Sequence, residues 1–406
     1  MPAAIFMMKR QYIVAIHRWV GLFMAVFLII EGLTGSLLAF NQELEALINP
    51  EFFATAPAAD AHQLDLASIA ERAEQQEPQI RVGYFSVTHN QALLRVGPRQ
   101  DPETGKPYAV GFDQMFLDPY SGKELGHRRW GDIAEGRANV MPFLYKLHMN
   151  LALNETGGWI LGVIALAWTL DCFYAIYLTF PKTFRPFFSR WRLAWQIKWP
   201  ASVLRLNFDL HRASGLWFTP LLLVFAWSSV MFNMSSVYEW VTSHLFAYES
   251  EMEYMTGMMG KPAIEKPLLN WHEGLDKSRQ MINEIADNQH FTVGEAMGAG
   301  YIPEIGVYTT TFKSDKNISA DGWGGVGLWV DGTSGENKHL FMPEGQKTGN
   351  TITMWLRALH FADIHGWLWY RILVCLTGIV IVLLSVTGIY IWYKKRMARL
   401  SIIRFQ

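Results

Sequence analysis

The chain has 406 residues, half of them hydrophobic and only 17% charged, with a formal net charge of −1. Soluble globular chains are usually about 25% charged, so the composition argues against an ordinary soluble enzyme, and the balanced charge provides no field for nucleic acid. With two cysteines in all, Cys172 and Cys375, there is no disulfide framework and no Cys-x-x-Cys-His site for covalent haem. In chain order, four apolar segments reach the roughly 20 residues that a membrane-spanning helix needs: about Ile13–Phe40, Trp159–Phe180, Gly215–Met234 and Leu368–Tyr393. The first exceeds the core of a secretory signal, about 7–15 residues, and is read as a retained helix. Cations crowd one side of the spans: Lys9 and Arg10 before the first, Lys182, Arg185, Arg190, Arg192, Lys198 and Arg205 between the second and third, and Lys394, Lys395, Arg396 and Arg399 after the fourth. Lys/Arg-rich loops stay in the cytoplasm, which places both termini there and the two large polar regions outside.

The polar regions read as small mixed α/β modules. In the first, Leu66–Gln75 suits a helix, Arg81–Thr88 and Ala92–Val96 suit strands, and Met115–Gly122 reads as a strand entering an Asp-Pro-Tyr-Ser-Gly turn. In the second, Gly274–Ala286 suits a helix, Val307–Phe312 a strand, and Leu328–Gly335 a strand and turn in which Gly332 replaces the proline. The halves repeat one another. His17-Arg18-Trp19-Val20-Gly21 opens the first span and His211-Arg212-Ala213-Ser214-Gly215 the third, and Leu147-His148 precedes the second span as Leu359-His360 precedes the fourth. Ordered matches of this kind mark a duplication. Each half has two spans, so the halves insert in one orientation, as parallel repeats.

Paired histidines at matched depths suit the two axial positions of haem iron, and a histidine inside a span is functional by default. His17 and His211 are expected to hold one haem near the cytoplasmic face, and His148 and His360 a second near the outer face. Gly21 and Gly215 fall one turn after their histidines and would leave room for a flat ring. Arg18 and Arg212 are candidates for haem propionates or lipid phosphates. On a continuous helix His365 is rotated about 140° from His360, which leaves it as an alternative ligand or a group near the outer surface; His244 is a weaker alternative. Glu31 and Asp171 are acids within spans without counterparts in the other half, where Phe225 and Leu383 stand. They are candidates to carry protons, to tune a haem, or to serve as hydrogen-bonded structural groups. His62, His89, His127, His272, His290 and His339 show no metal-ligand spacing and are read as surface residues.

The His-Arg-x-x-Gly openings, the Asp-Pro-x-Ser-Gly turn and the basic exit after the last span resemble the PepSY-associated transmembrane-helix family, whose members include iron-regulated inner-membrane proteins. The resemblance implies a membrane α-helical fold of four transmembrane helices in two parallel repeats, with two α+β PepSY-like periplasmic modules. The expected divisions are an N-terminus and first helix over 1–40, a periplasmic module over 41–155 and a second helix over 156–181. A basic cytoplasmic loop over 182–210, a third helix over 211–234 and a second module over 235–358 follow, then a fourth helix over 359–394 and a cytoplasmic tail over 395–406. It further implies a ferric-siderophore reductase that holds two haem b groups and releases iron as Fe2+, with membrane lipids as surroundings. No Gly-x-Gly-x-x-Gly follows a predicted strand, so a quinol or a separate reductase is the expected electron donor. Two rival readings are a transporter of the intact siderophore and a PepSY-type regulatory protein without redox activity.

Overall fold

The computed structural model describes residues 9–55, 61–88, 90–183, 185–259, 262–320 and 324–404. His89 lies outside them. In chain order, the first half contains α1 (Arg10–Leu38), α2 (Asn41–Ile48), α3 (Leu66–Gln76), β1 (Ile80–Val87), β2 (Ala92–Pro98), β3 (Gln114–Leu117), β4 (Glu124–Arg128), α4 (Val140–Asn150) and α5 (Asn154–Thr179). Next come α6 (Phe187–Trp191), α7 (Val203–Asn233), α8 (Ser235–Leu245), α9 (Glu251–Met258), α10 (Trp271–Gln289), β5 (Val293–Ile302), β6 (Val307–Ser314), β7 (Val326–Asp331), β8 (Asn337–Phe341), α11 (Thr348–His360) and α12 (Leu368–Arg404). These elements form two compact units, one from Met1–Phe40, Tyr145–Tyr238 and Leu368–Gln406, the other from Asn41–Leu144 and Glu239–Trp367.

The first unit holds α1, α5, α7 and α12, which among the described residues are long and apolar enough to cross a membrane. Their outward faces carry exposed Phe23, Val26, Leu33, Val163, Phe173, Ile379 and Val386, a surface suited to lipid. The helices pack in a ring in which α1 adjoins α12 and α5, and α7 adjoins the same two. Thus α1 and α7 stand diagonally. Small residues bring α1 and α12 together: a methyl group at Gly32 would lie 2.6 Å from the Gly378 carbonyl oxygen, and the Ser36 hydroxyl donates to the Cys375 carbonyl at 2.9 Å. Close backbone approach of this kind replaces the hydrophobic drive that lipid does not supply. At one end Arg10 caps the last turn of α5, donating to the carbonyls of Leu178 and Phe180. α7 starts at Val203, well before the expected Gly215, because Ser202 caps it by accepting from the Arg205 N–H and the polar stretch before the apolar run continues the helix. His211 is therefore inside a long helix rather than at its opening.

The second unit contains an eight-stranded antiparallel sheet in the order β4-β3-β2-β1-β5-β6-β7-β8. The two polar regions thus share one sheet: β1 pairs with β5, Tyr84 opposite Gly300 and Ser86 opposite Gly298. Alternation places Ala92, Leu94 and Val96 of β2, and Val326, Leu328 and Val330 of β7, in the core. α3 lays Ile69, Ala70 and Ala73 against Ile80, Phe85 and Leu94, and α10 lays Ile282 and Ala286 against Phe312, Val326 and Leu328. Trp271 and Tyr308 join the first of these cores, so the halves share packing as well as the sheet. Arg81 of β1 adds ion pairs to Glu265 and Glu304 of the other half.

The two Asp turns have one geometry. Asp118 accepts from the N–H groups of Tyr120 and Ser121, and Asp331 from those of Thr333 and Ser334. Each closes with a glycine at positive φ, Gly122 at 67° and Gly335 at 73°, where an L side chain is strained. The proline is dispensable because the aspartate and the glycine define the turn. Burial alone would raise both carboxyls, but these hydrogen bonds, with Lys338 nearby in the second turn, outweigh it and hold both below the ordinary 3.8. A carboxyl with a depressed folded pKa stabilises the fold above its unfolded value, and that contribution disappears as pH falls through the folded value. Acidification below about pH 4 should therefore loosen both turns, and Asp118→Asn combined with Asp331→Asn should reduce the acid dependence of unfolding followed by circular dichroism. In the other unit, Gly32→Ala should lower the unfolding temperature in detergent, at an overpacking cost of about 1–3 kcal/mol.

Candidate functional site

His17 lies seven residues into α1, about 10 Å along the axis, on the helix that carries Arg10 at its start. His211 lies eight residues into α7. From these diagonal helices the two rings converge with centroids 6.1 Å apart and planes at 60°. Each ring is held through Nδ1. Both oxygens of Asp171 on α5 accept from His17 Nδ1, at 2.9 and 3.0 Å. His211 Nδ1 lies 3.0 Å from the Leu384 carbonyl and 3.1 Å from the Thr387 hydroxyl on α12. A carbonyl only accepts, and the Thr387 hydroxyl spends its proton on the Leu383 carbonyl, so the proton on His211 is at Nδ1. The same logic assigns Nδ1–H to His17, since a carboxylate only accepts. In each neutral imidazole, Nε2 then carries the lone pair that binds metals.

His148 is on α4, outside the long helices, and packs against α1. Its Nδ1 lies 2.9 Å from the Thr34 hydroxyl and 3.1 Å from Glu31 Oε2. Thr34 donates to the Ile30 carbonyl and so accepts from the ring, which again leaves Nε2 as the lone-pair nitrogen. Gly35 lies directly beneath: a methyl there would sit 3.0 Å from His148 Cε1. Gly388 does the same for His211, at 3.3 Å from its Cε1. Of the glycines expected to make room for a flat ring, Gly21 has nothing within 4 Å of where its side chain would be, whereas Gly215 meets Leu384 at 3.6 Å.

His360 belongs to the second unit, at the last residue of α11. α4 and α11 both end just after their histidines, in left-handed residues at Leu151 and Ala152 in one case and Ala362 in the other. The lead-in segments are therefore separate helices, not continuations of the spans. His365 lies beyond the end of α11 with a φ of 46° and its ring against Trp367, so the 140° rotation expected of one continuous helix does not describe it. His244 is exposed and bonds the Trp240 carbonyl. His339, expected at the surface, is half-buried between Trp329 and Tyr254, and burial holds its pKa below the ordinary value. The duplicated arginines differ. Arg212 is bound to Asp209 and to the carbonyls of Leu193 and Ala194, whereas Arg18 buries its Nε without a hydrogen-bond partner. Thr34 and Thr387 carried no signal in the sequence, because hydroxyls of this kind also bond their own helix.

The arrangement brings two imidazole rings together across a helical bundle, with space beside Gly21 and the buried, unsatisfied Nε of Arg18 one residue from His17. These residues fit a haem held by two histidines without a thioether link. Residues 14–395 match the family described as the PepSY-associated TM region. A search of curated proteins found no match. The start of α7, and with it His211, is pinned by Asp209, which is fully buried and binds both Arg205 and Arg212 at 2.8 Å. Removing one member of a buried ion network costs on the order of 3 kcal/mol or more, so Asp209→Ala should lower the unfolding temperature of the purified protein well beyond a surface change such as Glu155→Ala.

Proposed function

We propose, for a chain that belongs to the PepSY-associated TM region family, that it is a di-haem b membrane reductase acting on ferric-siderophores. The observation that carries this reading is the meeting of His17 and His211 from diagonal helices, 6.1 Å apart and with both Nδ1 atoms committed elsewhere. Haem b held by these histidines supplies one-electron transfer, from a quinol or a separate reductase on one face of the membrane to a ferric chelate on the other, releasing iron as Fe2+. His17 and His211 would serve the cytoplasmic-side group and His148 and His360 the outer one, with His365 the alternative at the latter. Arg18, rather than Arg212, would neutralise a propionate, because Arg212 is already bound to Asp209.

The chain's own residues do three things in this reading. Asp171, Leu384, Thr387 and Thr34 fix ring orientation and tautomer before any ligand arrives, which reduces the ordering cost of binding. The apolar helices exclude water from the imidazoles. The sheet unit, with its two PepSY-like halves, would receive the chelate. Siderophores hold hard Fe3+ through oxygen ligands, and Fe2+ is softer, so reduction loosens the metal and spares the chelator. The basic residues at the helix ends support cytoplasmic termini and an inner-membrane location by the positive-inside rule, and the repeated His-Arg openings support parallel repeats.

The purified protein should be coloured, with low-spin haem bands that sharpen on dithionite reduction and lose intensity on adding a ferric hydroxamate chelate. His17→Ala and His211→Ala should each remove about half of the haem, and His148→Ala and His360→Ala the other half, read by pyridine haemochrome assay. A colourless wild-type preparation, or four variants with full haem and unchanged ferric-chelate reduction, would sink the proposal.

A further inference from the structure

Asp171 and Glu31 have no counterparts in the other half of the chain, yet each reaches a histidine. Asp171 grips His17 Nδ1 through both oxygens, and Glu31 Oε2 lies 3.1 Å from His148 Nδ1. α1, α5, α7 and α12 contain only two other acids, Glu155 and Asp209. Glu155 is exposed in the first turn of α5, and Asp209 is neutralised by Arg205 and Arg212. Among the described residues, Asp171 and Glu31 have no lysine or arginine partner. A carboxylate without a cation in the membrane-spanning unit, held on the Nδ1 of a candidate ligand through both of its oxygens, is a costly arrangement that packing alone does not require.

Resting on the haem reading above, we infer that Asp171 is a positioning residue that sets a low reduction potential for the haem held at His17. A carboxylate on Nδ1–H draws that proton and makes the opposite nitrogen a stronger donor. Stronger donation and a nearby negative charge both favour ferric over ferrous iron, and hydrogen bonding and net charge near the metal are the protein's levers on potential. The His211 ring lacks this device, since its Nδ1 partners are a neutral carbonyl and hydroxyl. Of the His17–His211 pair, only the α1 histidine is therefore backed by a carboxylate. A low potential is what delivery of electrons to a tightly chelated ferric ion demands.

The test is optical redox titration of the purified, haem-loaded full chain. Asp171→Asn should move one of the two midpoints upward and leave the other in place. Asp171→Glu, which keeps the charge, should return that midpoint toward wild type, and Glu155→Gln should move neither. If Asp171→Asn loses its haem, Asp171→Ser decides the matter by the same readout. Neutral variants that keep low-spin haem with unmoved or lowered midpoints would overturn the inference while leaving the reductase reading intact. A wild-type protein without haem would instead overturn the reading on which the inference rests.

Discussion

An imidazole inside a membrane-spanning bundle needs a hydrogen-bond partner for its ring N–H in a medium that offers no water. This requirement organises the helical unit. His17 takes its Nδ1 partner from α5 and His211 takes its partners from α12, so each ring ties together two neighbours in the ring of helices. α1 and α7 are diagonal, and the two rings meet across the ring of helices with centroids 6.1 Å apart. The Gly388 backbone under His211 and the Gly35 backbone under His148 allow rings to lie flush against a helix that any larger residue would push away. The histidines are thus held as parts of the packing.

The two halves of the chain match in the positions of their motifs and differ in the partners those motifs find. The symmetry is clearest in the sheet unit, where β1 to β4 and β5 to β8 are arranged in mirror order about the β1/β5 pairing. It extends to detail: both Asp turns close on a positive-φ glycine against the helix of their own half, Gly122 against Arg72 of α3 and Gly335 against Lys277 of α10. Joining the halves through β1 and β5 removes one exposed edge from each four-stranded set, a standing aggregation hazard. The halves of the helical unit share histidine positions but not partners. A carboxylate serves His17, while a carbonyl and a hydroxyl serve His211.

Most of the fold was legible because hydropathy and period-2 alternation are local signals. The first two spans, the helices at Leu66 and Trp271, and the strands at Ile80, Ala92 and Val307 fall close to where their residues put them, whereas the third span begins well before Gly215 and the fourth runs on past Tyr393. The continuous sheet was not legible. β5 is rich in glycine, with Gly294, Gly298 and Gly300, so its composition argues against a strand, and Gly298 and Gly300 are there because Tyr84 and the Gly83 carbonyl approach too closely for a side chain. The candidate histidines stood out through repetition. Their partners did not, because Asp171 is 154 residues from His17 and only the fold reveals that they touch. The breaks after His148 and His360 escaped notice for a different reason: residues such as Leu151 and Ala152 rarely adopt left-handed conformations and give no warning of them.

The arginines that follow His17 and His211 stand in different surroundings. Arg212 belongs to the framework at the start of α7, where Asp209 and the carbonyls of Leu193 and Ala194 fix the preceding basic link. The Arg18 guanidinium lies over the Trp19 ring, 5.3 Å from the centroid, with Nε buried and unsatisfied. A buried donor of this strength without an acceptor costs a few kcal/mol, a penalty that an anionic group bound beside His17 would remove. The same sequence, His-Arg, therefore builds scaffold in one half and leaves an open demand for negative charge in the other, on the same helix whose histidine faces the middle of the bundle.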